Sequence, residues 1–90
     1  MSTLHTINKS PYSNSSLASC IKICSKSDAI LLLEDGVFGA LTSAPESEQL
    51  QQLIHDGTRV FAISADVKAR GLTEKLLPSV ELIDYNSFVQ

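Results

Sequence analysis

The stretch Ala29–Gly36, with the sequence AILLLEDG, decides how this chain folds. Its five apolar residues follow one another without polar alternation, and two acids and a glycine come directly after them. A short continuous apolar run is typical of a strand that is covered on both faces. Such strands occur in parallel sheets, where crossover helices provide the cover. We therefore predict a central strand of a parallel sheet over Ala29–Leu33.

Two acidic residues and a glycine, Glu34–Gly36, follow this strand. They are expected at the edge of the sheet where ligands bind. Glu34 and Asp35 are thus candidate binding residues of a phosphate-binding or receiver-like α/β module. Receiver domains use an acidic cluster, a phosphorylated aspartate and a lysine. That pattern is poor in this chain, because the third predicted strand ends in Ser64-Ala65-Asp66 and the chain is short. An ordinary strand-to-helix turn over Glu34–Gly36 accounts for the same residues.

Strand and helix patterns alternate along the rest of the chain. Further strands are predicted over Thr3–Ile7, Arg59–Ser64 and Val80–Ile83. A first helix should carry one apolar stripe made of Leu17, Cys20, Ile21 and Cys24. Later helical segments are predicted around Leu50–Ile54, over Asp66–Leu72 and Thr73–Pro78, and after Asp84. The prediction is an α/β fold, one domain over residues 1–90, with a parallel four-stranded sheet and helices on both faces.

Composition narrows the class of protein. The chain has 90 residues, of which 43% are hydrophobic and 19% charged, as in a globular protein with a small core. Chains with a core of this size are commonly stabilised by partner subunits. The net charge of −3 argues against direct nucleic-acid binding. No apolar run is long enough to span a membrane, and no secretory signal begins the chain, so we expect a cytoplasmic protein.

The two cysteines, Cys20 and Cys24, do not have the spacing of a paired-cysteine zinc site. The two histidines, His5 and His55, are distant in sequence, so we expect neither a metal site nor a cofactor. His5 is expected to be a hydrogen-bonded strand residue and His55 to complement a helix end. Each cysteine is either a small buried hydrophobic residue or a functional thiol, which would need exposure and a lowered pKa.

Four segments in order resemble the DsrH/TusB family of small sulfur-relay subunits, within the wider DsrE-like group. They are Leu4–Pro11 (LHTINKSP), Leu31–Val37 (LLLEDGV), Asp66–Leu72 (DVKARGL) and Ile83–Val89 (IDYNSFV). The resemblance implies a heterohexamer with sister DsrE-like subunits of the TusC/TusD or DsrE/DsrF type. It also implies that persulfide sulfur passes to a downstream sulfur carrier and on toward 2-thiouridine at the tRNA wobble position.

The resemblance also bears on which residue handles sulfur. In the tRNA-thiolation version, the catalytic cysteine belongs to a sister subunit, in the segment after its third strand. The matching segment Ile63–Asp66 has no cysteine. This implies a structural or auxiliary subunit, not catalytic alone but part of a sulfurtransferase complex. In the sulfur-oxidising version, the DsrH-type subunit carries a cysteine in its first helix. Cys20 matches that place and is the candidate persulfide acceptor under this alternative.

Two expectations follow for the surface and for the thiols. Apolar surface for partners is expected near Phe38 and Tyr85–Val89, and relatives of the family continue beyond that last segment.

Cys20 can accept sulfur only if it lies at the edge of its apolar stripe, because burial raises a thiol pKa. Cys24, placed one turn deeper on the same helix, is expected to stay unreactive.

Overall fold

A computed structural model describes residues 3–84 and 86 of the chain. The elements in order are β1 (Leu4–Ile7), α1 (Ser16–Ile23), β2 (Ala29–Leu32), a 3₁₀-helix (Glu34–Ala40), α2 (Ser47–His55), β3 (Arg59–Ile63), α3 (Ser64–Ala69), a second 3₁₀-helix (Thr73–Lys75) and β4 (Glu81–Ile83). The strands form one parallel sheet in the order β1-β2-β3-β4. The predicted α/β fold with a parallel four-stranded sheet and helices is confirmed. The buried apolar residues of α1, α2 and α3 all join one core cluster with a single face of that sheet, so these three helices do not occupy both faces as predicted.

The central strand β2 is buried on both faces, as its unbroken apolar run predicts. Ile30, Leu31 and Leu32 are all within 1% of complete burial, although successive side chains of a strand point to opposite faces. The strand is one residue shorter than predicted. The chain turns at Glu34, which adopts a left-handed backbone with φ of 50°, so the pairing with β3 stops at Leu32.

One face of the sheet lies under the helices and forms the main core. Parallel register places Ile7, Ile30, Leu32, Val60 and Ala62 on this face. They pack in one cluster with Leu17 and Cys20 of α1 and Leu50 of α2. The opposite face is mixed, because Leu31 and Ile63 are buried there while Leu4, Thr6 and Arg59 are exposed.

Helix α1 is shorter than its apolar stripe suggests. It ends at Ile23, since Cys24 already has an extended backbone with φ of −73° and ψ of 132°. Leu17 and Cys20 are its buried residues, whereas Lys22 and Ile23 are exposed. The end of the helix therefore runs past the core rather than deeper into it.

The exit of β2 is fixed by a close approach of two backbones. A Cβ atom at Gly36 would overlap the carbonyl oxygen of Ile7 and lie 2.7 Å from its carbonyl carbon. Only glycine fits there, so the first 3₁₀-helix packs directly on the end of β1. The turn predicted over Glu34–Gly36 is already part of this 3₁₀-helix, which begins at Glu34, three residues before the first residue after Gly36.

The remaining connections are compact. Helix α2 ends at His55, and Gly57 shortly after it has a φ of 114°, a left-handed backbone that favours glycine at a helix end. Helix α3 follows β3 without a loop. The predicted last helix, with Tyr85, Phe88 and Val89, lies outside the described residues. No helix in the described part of the chain is long and apolar enough to cross a membrane.

Candidate functional site

Cys20 is a core residue of α1. It is only 6% exposed and belongs to the main core cluster. Burial raises the pKa of the Cys20 thiol to about 11, and the nearby Cys24 and Asp28 add to the rise. At neutral pH almost no Cys20 is therefore in the thiolate form that reacts with sulfur electrophiles.

Cys24 lies just beyond the end of α1 and is partly exposed. Its thiol donates to the carbonyl oxygen of Ser25 at 3.6 Å. Partial burial and the negative charge of Asp28 raise the Cys24 pKa, opposed by a hydrogen bond with Thr58. The expectation that Cys24 lies deeper than Cys20 is wrong, because the helix ends before Cys24, which is only partly buried whereas Cys20 is buried.

Asp28 organises the edge of the sheet where the strands begin. Its side chain is almost fully buried and accepts three hydrogen bonds. Oδ1 accepts the Thr3 amide at 2.9 Å, while Oδ2 bonds His5 Nε2 at 2.8 Å and accepts the Ser25 amide at 3.1 Å. The His5 contact, followed by the Ser25 and Thr3 amides, lowers the Asp28 pKa to about 2. The prediction that His5 is a hydrogen-bonded strand residue is confirmed.

Cys24 completes a group that the sequence does not bring together. Its sulfur, a ring nitrogen of His5 and a carboxylate oxygen of Asp28 all lie within 4.8 Å of one another. We call these three residues the amino-end cluster. The cluster arises from the parallel pairing of Leu4 with Ala29, which places the residue before β2 beside the start of β1.

Glu34 and Asp35 lie at the opposite edge, where the strands end, as predicted. The Glu34 amide donates to Asp66 Oδ2 at 2.8 Å. Arg70 donates to Asp35 Oδ1 from Nε at 3.0 Å and from Nη2 at 2.9 Å, and to the Asp66 carbonyl oxygen at 3.1 Å. We call Glu34, Asp35, Asp66 and Arg70 the carboxyl-end cluster. Its contacts join the turn after β2 to α3, which favours the turn interpretation over an anion site.

Only the Phe38 part of the expected partner surface lies in the described chain. Phe38 is only partly exposed and packs against the core, and Tyr85, Phe88 and Val89 lie outside the described residues. His55 is exposed at the end of α2, apart from the amino-end cluster. The exposed large apolar residues of the described chain are Leu4, Tyr12, Ile23 and Leu82.

Comparison with known sequences relates this chain to a family. The family model described as DsrH like protein matches residues 9–90. Protein TusB of Pectobacterium parmentieri is 37% identical over 87 residues, covering 97% of this chain and 87% of that protein. Protein TusB of Yersinia pestis (strain Pestoides F) is 38% identical over 86 residues, covering 96% and 86%.

Solved structures show the same architecture. The solution NMR structure of protein Tm0979 from Thermotoga maritima has a TM-score of 0.67 at 26% identity, covering 97% of this chain and 86% of that chain. Protein MTH1491 from Methanobacterium thermoautotrophicum, described as of unknown function, has a TM-score of 0.75 at 19% identity, with coverage of 98% and 86%. The second likeness is one of fold alone.

Proposed function

The chain belongs to the DsrH-like protein family, and on this premise we propose that it is a subunit of a sulfur-relay complex acting in tRNA thiolation. The complex passes persulfide sulfur toward 2-thiouridine at the wobble position. Its other members are sister subunits of the TusC/TusD type, with which this chain forms a heterohexamer in the cytoplasm. Within it, this chain supports assembly and is not the main sulfur carrier. The similarity to TusB proteins over nearly the whole chain supports this assignment.

The observation that carries the auxiliary role is the burial of Cys20. In a relay step, an acceptor thiolate attacks the outer sulfur of a donor persulfide. The donor S–S bond breaks, the donor leaves as a thiolate, and the persulfide is now on the acceptor. A thiol that is 6% exposed, with a pKa of about 11, supplies little thiolate and little access.

The segment after the third strand supports the same conclusion. Ser64 follows β3 directly and begins α3, and no cysteine occurs between Ile63 and Asp66. The resemblance puts the catalytic cysteine of the complex at this place in a sister subunit. The sulfur chemistry is therefore assigned to that sister subunit.

A second candidate function is sulfur carriage by Cys20 itself, as in DsrH-type subunits of sulfur oxidation. The position of Cys20 in the first helix favours it. For this function α1 has to open, or a partner has to draw Cys20 out of the core, before the thiol can react.

Reconstitution with the sister subunits tests both functions. Wild type, Cys20→Ser and Cys24→Ser are each assembled with the sisters and loaded from a persulfidated donor. Mass spectrometry then locates the added sulfur, and thiolated tRNA reports the overall transfer. The auxiliary role predicts that all three versions assemble and transfer sulfur equally, with no sulfur on this chain. Sulfur on Cys20 of the wild type, with transfer lost only in Cys20→Ser, would establish carriage instead.

Omission of the chain tests the assembly role separately. The sister subunits without this chain should form smaller species in sedimentation and transfer sulfur less efficiently. If they form the same complex and transfer equally well alone, this chain is not needed for assembly and the proposal is wrong.

A further inference from the structure

We propose that the amino-end cluster of His5, Cys24 and Asp28 binds a thiophilic divalent cation of the Zn²⁺ type. The ion would tie the start of β1, the end of α1 and the entrance of β2 together. The cluster lies at the opposite edge of the sheet from Ser64, where the resemblance puts the relay chemistry. This site is therefore independent of the proposed function, and either can fail without the other.

The donor set suits zinc. Imidazole nitrogen, thiolate sulfur and carboxylate oxygen are its usual protein ligands, at roughly 2.0–2.3 Å from the ion. Three protein ligands leave a fourth position for water in a tetrahedral site. The cluster supplies one donor of each kind from three different parts of the chain. A mixed set with one soft sulfur favours Zn²⁺ over Mg²⁺ or Ca²⁺, which prefer oxygen ligands alone.

The spacing needs only side-chain adjustment. Ligand atoms around one tetrahedral zinc are roughly 3.2–3.7 Å apart, given the usual bond lengths. His5 Nε2 and Asp28 Oδ2 are now 2.8 Å apart, so this pair has to open slightly. The widest separation in the cluster is within 4.8 Å, so the Cys24 sulfur has to approach by about one ångström. Cys24 can do this because it follows the last residue of α1 and is only partly buried, at the margin of the core.

Two backbone amides hold the Asp28 carboxylate in place. The Thr3 amide on Oδ1 and the Ser25 amide on Oδ2 orient Asp28 whatever happens at His5. Hydrogen bonds of this kind, made to the ligands themselves, commonly fix ligand direction in metal sites. On binding, Cys24 loses its thiol proton to solvent and His5 ligates as neutral imidazole. Any proton on the ligating nitrogen moves to the other ring nitrogen or to solvent.

The chain offers matched controls for two of the three ligand types, the cysteine and the histidine. It has two cysteines and two histidines, one of each in the cluster and one outside it. Cys24→Ser and His5→Gln remove ligands, and the glutamine amide still offers Asp28 a donor. Cys20→Ser and His55→Gln remove the same residue types elsewhere. Folding of each variant is checked by far-ultraviolet circular dichroism.

The first test is titration of the reduced, chelator-treated full chain with Co²⁺ alone, followed by Zn²⁺. Wild type, Cys20→Ser and His55→Gln should each bind one Co²⁺ with a thiolate charge-transfer band, which Zn²⁺ abolishes. Cys24→Ser should lose the band, and His5→Gln should bind at least about tenfold more weakly. The site does not exist if wild type lacks the band, or if Cys20→Ser loses it as completely as Cys24→Ser.

The second test uses stability as an independent readout. Zn²⁺ should raise the midpoint of thermal unfolding of wild type and of both control variants, because it binds the folded chain preferentially. Cys24→Ser should show no rise at the same concentration. An equal rise in Cys24→Ser would mean that the ion binds elsewhere, and the assignment would be overturned.

Discussion

The two edges of the sheet use charged residues in opposite ways. At the amino end, the buried carboxylate of Asp28 accepts three hydrogen bonds and joins β1 to the loop before β2. At the carboxyl end, the Asp35 side chain is 62% exposed and pairs with Arg70 across the surface. The tight contact at that end is made instead by backbone, where Gly36 meets Ile7.

This difference shows that strand direction alone does not locate the candidate functional site of a parallel sheet. Ligands are expected where the strands end, and acidic residues do occur there. Their partners, however, are neighbouring backbone and one arginine, which makes them part of the turn. The group with mixed donor chemistry lies where the strands begin.

The largest expected loss of stability comes from a substitution that disturbs the backbone contact at the carboxyl end of the sheet. Gly36→Ala puts a Cβ against the Ile7 carbonyl, and both atoms it meets most closely belong to the main chain, so neither can rotate away. We expect a loss of about 3 kcal/mol or more in the free energy of unfolding, measured with denaturant.

Gly71→Ala is the control for this substitution. Gly71 has a φ of 67° but nothing within 4 Å of its would-be Cβ, so only the backbone cost of about 1–2 kcal/mol is expected. If Gly36→Ala costs no more than Gly71→Ala, the close approach of the two backbones does not hold the carboxyl end together.

The next effect compares one substitution at both ends. Asp28→Asn removes a buried charge and turns an amide group toward backbone donors. We expect it to lower the thermal midpoint by several degrees. Asp35→Asn, at an exposed position, should change the midpoint far less. Equal effects of the two variants would show that burial does not distinguish the two ends.

Acid should weaken the amino end selectively. The pKa of Asp28 lies at about 2 in the folded chain and at 3.8 ordinarily. A lowered pKa gives stability that is fully present above the ordinary value and is lost as pH falls through the folded value. Wild type should therefore lose stability between about pH 4 and pH 2, measured with a chelator present. Asp28→Asn should show a flatter profile, and an identical profile would contradict the role of this carboxylate.

Much of the fold was predictable because the decisive signals are local. The apolar run before Glu34 needs cover on both faces wherever it lies, and the observed strand is buried on both. The ends of the strands and helices were harder to predict from the sequence. The end of β2 depends on the left-handed backbone of Glu34, and the end of α1 on the extended Cys24. Neither conformation is encoded in apolar spacing.

The site was less predictable because it depends on register. His5 and Asp28 are 23 positions apart and meet only when β1 pairs with β2 in parallel. The distance between the two histidines in sequence argues against a metal site, but it says nothing about which ligands His5 meets in space. For the cysteines, helical spacing placed Cys20 and Cys24 on one stripe but could not show where the helix leaves the core.

The smallest expected effect concerns the surface ion pair of Arg70 and Asp35. Solvent screens an exposed pair, so Asp35→Asn should cost less than about 1 kcal/mol, and less still in high salt. Arg70→Met should cost more than Asp35→Asn, because Arg70 also donates to the Asp66 carbonyl oxygen and so braces α3. Chemical denaturation of both variants and the double variant separates the two contributions. If Asp35→Asn alone equals Arg70→Met and the loss persists in high salt, the pair is a structural element. The carboxyl end would then depend on charge as much as the amino end does.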